Sequence, residues 1–331
     1  MNMISQDARV ELYSELLGTN EEFLEGLKSD AEKAGQGIKA DIRLWQKDHE
    51  GNVEPYDLYI PKYGITSVVA RTGGGKTAML TNLAVRLSMN GGTGMYVTLE
   101  EPAFAITAKM LASYSGHKNQ NHSMQALSTS EAIKVIAGKT ISKEMPGFER
   151  EVLNKCRPID ANKLISRKDI ASSNLLYQPQ YIQDLMDYVN SDERGEKISF
   201  IIVDFGQLLE VAGIDNSNTF NKIKKVMQAL KNMAGTGIAV IIGMQMKREV
   251  SSKWIWDFEC EDVKEGGDAE QATSLMVCIG RDNKQPDIDQ FDVIRILKNR
   301  YGPKRVGGAC TINFKGNYIP TLTEQPTEKA L

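Results

Sequence analysis

Between Gly64 and Leu80 the chain reads GITSVVARTGGGKTAML, and these residue types in this order are suited to holding a triphosphate. Gly73, Gly74 and Gly75 carry no side chains, so backbone N–H groups can close around phosphate oxygens. Lys76 adds a positive charge at a helix start, where the dipole already attracts anions. Thr77 supplies a hydroxyl for a Mg²⁺ ion shared with the phosphates. The expected cradle is therefore Ala70, Arg71, Thr72, Gly73, Gly74, Gly75, Lys76 and Thr77, taking ATP and Mg²⁺. It departs from GxxxxGK plus Ser or Thr at one position, where Ala70 replaces the first glycine; a small residue still fits the turn. A glycine-rich surface loop ending by chance in Lys-Thr would explain neither the apolar run Ile65–Val69 before it nor the helical pattern after it.

Other positions fit hydrolysis of that triphosphate. The run Ile198–Val203 ends at Asp204, and a carboxylate at the carboxyl end of a buried strand stands beside the phosphates and can hold Mg²⁺ through water. Met95–Leu99 ends at Glu100 and Glu101, either of which can accept a proton from the attacking water. Strand-end neighbours point to opposite faces, which favours one of the two, Glu100, as the residue facing the nucleotide. Ile238–Gly243 leads to Gln245, a neutral donor and acceptor suited to sensing a γ-phosphate. Lys298 and Arg300 lie two residues apart at a strand end. Arg300 can stabilise charge on a transferring phosphoryl group; equally, both can be ordinary hairpin charges.

Such residues need a sheet to hold them. Apolar runs Ile65–Val69, Gly94–Leu99, Ile198–Val203, Ile238–Gly243 and Leu275–Ile279 alternate with helical patterns after Lys76, at Ala103–Tyr114 and at Thr219–Ala234. That alternation predicts an α/β fold, a P-loop nucleotide-binding core with a mainly parallel sheet covered by helices on both faces. Phe291–Leu297 and Ala309–Phe314 flank Gly302-Pro303 and read as a hairpin at the sheet edge. Gly37–Tyr63 reads as mixed and turn-rich, and Ser130–Gly138 and Gln180–Asn190 as helical pieces. Two short helices are expected between Gln6 and Gly35. The expected division is a helical extension at 1–36, the nucleotide-binding domain at 37–322 and a disordered tail at 323–331.

With 331 residues, 41% of them hydrophobic and 25% charged, the chain has the composition of a soluble globular protein. No apolar run reaches the ~18 residues of a membrane span, and the N-terminus lacks the basic start and apolar core of a secretory signal. Cys156, Cys260, Cys278 and Cys310 are scattered, which predicts reduced thiols in a cytosol rather than disulfides or zinc. A net charge of −3 argues against a surface coated for nucleic acid, yet leaves room for a local basic groove.

The order ARTGGGKTA, YVTLEEP followed by KMLASYSG, IIVDFGQLL, MQMKRE, GGDAEQAT with a later RD, and KNRYGP resembles the DnaB-type replicative helicases over about residues 45 to 316. The resemblance implies a RecA-like core, a hexameric ring, and single-stranded DNA drawn through a central channel by ATP. It implies Lys76 and Thr77 on phosphate and Mg²⁺, Glu100 as catalytic base, Asp204 supporting the metal, and Gln245 coupling nucleotide to DNA. Lys298 and Arg300 resemble a pair offered to the next subunit's nucleotide. DNA contacts would come from Gly213–Asn218 and from Lys247–Gly267, where Lys247, Arg248, Lys253 and Lys264 suit the backbone, and Trp254 and Trp256 suit base stacking. Primase, a loader or other replisome proteins are implied partners, in the cytosol of a bacterium or a phage-infected cell, with no membrane. Two departures stand out: Thr72 replaces a proline, and residues 1–36 stand where the family has a sizeable helical domain. The short form points to a phage, plasmid or other mobile element, with Glu21–Ala34 docking on an adjacent subunit. The alternatives are a RecA-like recombinase or DNA-loading ATPase that does not unwind, and a non-motor nucleotide-binding accessory protein.

Overall fold

The computed structural model describes residues 25, 28, 37–47, 50–119, 126–161, 179–191, 197–204, 206–211, 219–264, 266–281, 292–303, 306–310 and 319. Glu25 and Lys28 are helical; the rest of the expected N-terminal helices, the 213–218 loop and the 323–331 tail lie outside these residues.

In chain order the elements are β1 (Ile38–Lys47), β2 (Val53–Ile60), β3 (Ile65–Ala70), α1 (Lys76–Met89), β4 (Gly94–Thr98), α2 (Ala103–Lys118), α3 (Thr129–Ile136), β5 (Cys156–Asp160), α4 (Pro179–Ser191), β6 (Phe200–Asp204), α5 (Thr219–Ala234), β7 (Ala239–Gln245), α6 (Gly266–Ala272), β8 (Thr273–Arg281), β9 (Asp292–Asn299) and β10 (Val306–Cys310). The strands form one sheet in the order β2-β1-β10-β9-β8-β3-β7-β6-β4-β5. From β8 to β5 the pairing is parallel, as the alternating pattern predicts. From β8 through β9, β10 and β1 to β2 it is antiparallel.

Two expectations need correction. The β9–β10 hairpin exists but is interior to the sheet, because β10 pairs with β1. The antiparallel edge of the sheet is instead the β1–β2 hairpin, formed by the stretch read as mixed and turn-rich. Its period-two signal is real: Ala40, Ile42 and Leu44 are buried, while Lys39 and Arg43 face out. The pairing register shifts between Lys39 and Arg43, where Asp41 has φ 51°.

Side chains alternate across the sheet into two apolar layers. Phe200 and Ile202 join Leu80, Leu83 and Leu111 beneath α1 and α2, whereas Ile201 and Val203 join Ile223, Met227 and Leu230 beneath α5. α5 has the stripe of a helix buried on one side and stops before Gly237, at φ 95°. α1 is buried from Ala78 to Ser88. Within it Arg86, 1% exposed, donates to the carbonyls of Asp41 and Ile319, and Asn82 Oδ1 accepts from Ile319 N–H at 2.9 Å. These bonds satisfy a buried guanidinium and fasten residue 319 to the helix that follows the glycine loop. Among the described residues no helix is long and apolar enough to cross a membrane.

Candidate functional site

β3 lies between β7 and β8 at the centre of the sheet, so the loop leaving its carboxyl end is flanked by two other strand ends. Gly74 N–H closes that loop onto Arg71 O at 2.9 Å. Gly73 at φ 71° and Gly75 at φ 92° hold left-handed backbone that side chains rarely adopt, and Gly75 caps α1 in that conformation. α1 then starts at Lys76 with no acidic residue in its first turn, leaving its N-terminal field available to an anion. The loop lines a cavity of about 360 Å³ with Glu100, Glu101, Lys109 and Gln245.

Asp204 is the hub. It is 1% exposed, and its Oδ2 accepts from Thr77 Oγ1 at 2.9 Å and from the Tyr96 hydroxyl at 2.8 Å. Lys76 Nζ stands 3.2 Å from Asp204 Oδ1 and 3.5 Å from Glu100 Oε2. Among the described residues Asp204 Oδ1 has no hydrogen-bond partner, is buried, and faces the Lys76 ammonium. A buried carboxylate oxygen beside a threonine hydroxyl is a hard-oxygen donor set that fits Mg²⁺. Leu99 N–H donates to Asp204 O at 2.7 Å, extending the β4–β6 ladder by one step and bringing Glu100 beside the hub.

Tyr96 was not anticipated. Tyr96, Thr98 and Glu100 occur at alternate positions, which is the signal that they share a strand face. Burial, and then the Asp204 charge, push the Tyr96 hydroxyl pKa well up, so it stays a donor to Asp204. Glu101 also lines the cavity, where one carboxylate was expected; it pairs with Lys109, which leaves Glu100 as the acid next to Lys76.

Gln245 Nε2 donates to Thr72 Oγ1, and Gln245 N–H donates to Gln207 Oε1 at 3.2 Å. Gln207 also escaped the sequence reading; it is an isolated amide after β6 with no local pattern. Residues 247–264, read as a basic loop, form a compact strap of 3₁₀ turns at Arg248–Ser252, Ile255–Asp257 and Cys260–Asp262. Arg71 is committed to this strap: its Nη2 donates to Val250 O at 2.5 Å and Lys253 O at 2.6 Å, and its Cζ lies 4.9 Å from the Phe258 ring centroid.

The strap's basic and aromatic residues are divided in use. Lys247, Arg248 and Lys264 are exposed, but so are Glu249, Asp257, Glu259 and Glu261. Lys253 is bound to Asp262 at 2.5 Å. Trp256, expected to stack on bases, is 7% exposed and core; a Cβ at Gly307 would stand 2.6 Å from its ring. Trp254 is half-buried against the same layer. Trp256→Ala is therefore expected to destabilise the fold by about 3–5 kcal/mol, read as a shift in the urea unfolding midpoint.

Lys298 and Arg300 sit elsewhere. Lys298 Nζ donates to Glu270 O and the Arg300 guanidinium to Gln271 O, both at the end of α6, where carbonyls lack helical partners. With Glu259, Glu261 and Glu270 they line a second cavity of about 650 Å³ that shares no residue with the first. Cys156, Cys260 and Cys278 are free thiols, and among the described residues no group of three or more His, Cys, Asp or Glu could hold a metal.

Residues 61–320 match the family model described as the DnaB-like helicase C-terminal domain. Over 129 residues the chain is 28% identical to a probable replicative DNA helicase of Trieres chinensis, a match spanning 37% of this chain and 28% of that protein's length. A solved DnaB-like replicative helicase, described together with its interactions with primase, superposes with a TM-score of 0.60 at 20% identity, covering 80% of this chain and 59% of that one. A solved ATPase domain gives a TM-score of 0.65 at 19% identity, covering 91% and 98%. The expected RecA-like fold is the fold these structures share.

Proposed function

The chain belongs to the DnaB-like helicase C-terminal domain family, and on that footing we propose that it is a replicative helicase motor that moves along single-stranded DNA as a ring of six copies, hydrolysing ATP where subunits meet. The observation that carries this is the separation of the two cavities: Lys76, Thr77 and Glu100 line one, with Asp204 buried behind them against Lys76 and Thr77, while Lys298 and Arg300 line the other. A site that needs both groups is completed by a second copy.

In this reading the loop N–H groups and Lys76 grip the phosphates, and Thr77 and Asp204 hold Mg²⁺, which when bound offsets negative charge on the phosphate oxygens. Tyr96 and Lys76 hold the Asp204 carboxyl group in place. Glu100 accepts the proton of the attacking water. Gln245, bonded to Thr72 and lining the cavity of the glycine loop, would sense the γ-phosphate and couple nucleotide to DNA. Arg300, with Lys298, meets the phosphates of the neighbouring subunit. Lys247, Arg248 and Lys264 offer the DNA backbone their cations, with Lys253 beside them paired to Asp262. Residues 1–36 dock on an adjacent subunit, and contact with primase or a loader takes place in the cytosol of a bacterial or phage-infected cell.

The test is turnover and strand separation together. DNA-stimulated ATP hydrolysis with unwinding of a forked duplex is the expected result. Stimulated hydrolysis without unwinding would assign the chain to the recombinase or loading class, and absence of hydrolysis to an accessory nucleotide binder. Glu100→Gln is expected to retain nucleotide binding and lower kcat about a hundredfold, the scale of a lost general base, measured by phosphate release.

A further inference from the structure

The strap 247–264 behaves as one body. Its ends are tied together, with Met246 bridging Val263, Lys264 N–H on Gln245 O at 2.9 Å and Lys247 N–H on Asp262 O at 2.8 Å. The Lys253–Asp262 pair braces its middle, and Val250, Ile255, Trp256, Phe258 and Val263 are buried beneath it. The glycine loop is joined to this body through one side chain: the Arg71 guanidinium holds the carbonyls of Val250 and Lys253 and lies over Phe258. Beside it, at the end of β7, Gln245 reaches Thr72 of the same loop. On its far side the strap is bonded to β9, where Arg295 donates to the carbonyls of Trp256 and Phe258. A shift of the loop therefore reaches the strap through the Arg71 side chain.

Burial works against the Arg71 charge and draws its pKa below the ordinary value. The Arg71 Nη2 reaches both carbonyls while the planar face of the guanidinium lies over the Phe258 ring, a combination of bonding and stacking that a lysine ammonium does not reproduce. We infer that Arg71 is a positioning residue that passes the state of the glycine loop to the strap and so sets where Lys247, Arg248 and Lys264 stand. The inference rests on the reading that the loop takes nucleotide.

The chain contains three tryptophans, Trp45, Trp254 and Trp256, so in a Trp45→Phe background the emission reports on the strap alone. In that full-length background, calorimetry with ADP and Mg²⁺ gives the saturating concentration for each variant, and emission is then read at saturation. This separates loss of affinity from loss of response. The expected result is an emission change on nucleotide binding that Arg71→Ala and Arg71→Lys lose almost entirely. Phe258→Leu, which leaves the loop untouched, is expected to reduce it. A purely structural Arg71 would lower the thermal midpoint and leave the saturated response intact, and that outcome overturns the inference. So does a parent protein that binds ADP with no emission change. A parent that binds neither ADP nor ATP overturns the nucleotide reading itself. Should Arg71→Ala fail to fold, Arg71→Lys and Phe258→Leu decide the matter on the same readout.

Discussion

Lys76→Ala is expected to abolish nucleotide binding and, with it, all ATP turnover. The side chain is 14% exposed and its ammonium is 3.2 Å from Asp204 and 3.5 Å from Glu100, so it is the cation that makes two carboxylates compatible with an incoming polyanion. Removing it deletes charge-assisted hydrogen bonds worth roughly 1.5–3 kcal/mol. It also leaves phosphate facing the Asp204 and Glu100 charges, at about 1–4 kcal/mol per pair at 4 Å between water and a protein-surface environment. Together these come to about 3.5 kcal/mol or more, a factor of several hundred or more in Kd. Calorimetric titration with ADP and Mg²⁺ reads this directly, with circular dichroism reporting that α1 is still folded. Binding within tenfold of the parent would remove Lys76 from the phosphate site.

Arg300→Ala is expected to lower turnover about a thousandfold or more, the scale of an arginine supplied to a transferring phosphoryl group. The fold should tolerate the change, since Arg300 is exposed and its contact is with the Gln271 carbonyl at the end of a short helix. A charge at a helix C-terminus contributes about 0.3–1 kcal/mol. The decisive form of the experiment mixes Arg300→Ala with Lys76→Ala. Neither assembly has a complete site alone. In a mixed one, an intact glycine loop from one subunit meets an intact Arg300 from the next at about a quarter of random interfaces. Recovery of activity on mixing is the expected result, and no recovery at any ratio would return Arg300 to the role of a hairpin charge capping α6.

Much of this site was legible before any coordinates, for physical reasons. Buried parallel strands are continuously apolar, so their carboxyl ends stand out in sequence, and Asp204, Glu100 and Gln245 were found because each terminates such a run. The glycine loop was legible because its composition has few other uses. What escaped depends on contacts between distant segments. Tyr96 points from one strand to a carboxylate on the next, and Gln207 meets Gln245 through space alone. Within the strap, composition alone could not tell which residues serve the fold: Trp256 fills a core and Lys253 answers an aspartate, while Lys247, Arg248 and Lys264 stand exposed. The β1–β2 hairpin was hidden because Gly51-Asn52, Pro55 and Pro61 read as turn punctuation, and with it one edge of the sheet.

The bonds from Asn82 and Arg86 to Ile319 bear on how this polypeptide can be shortened. A fragment trimmed before position 319, although it keeps every strand described here, withdraws an acceptor from a guanidinium sealed inside the interior and weakens the footing of the helix that begins at Lys76. Engineers choosing an end point should therefore look to that single backbone carbonyl rather than to the last strand.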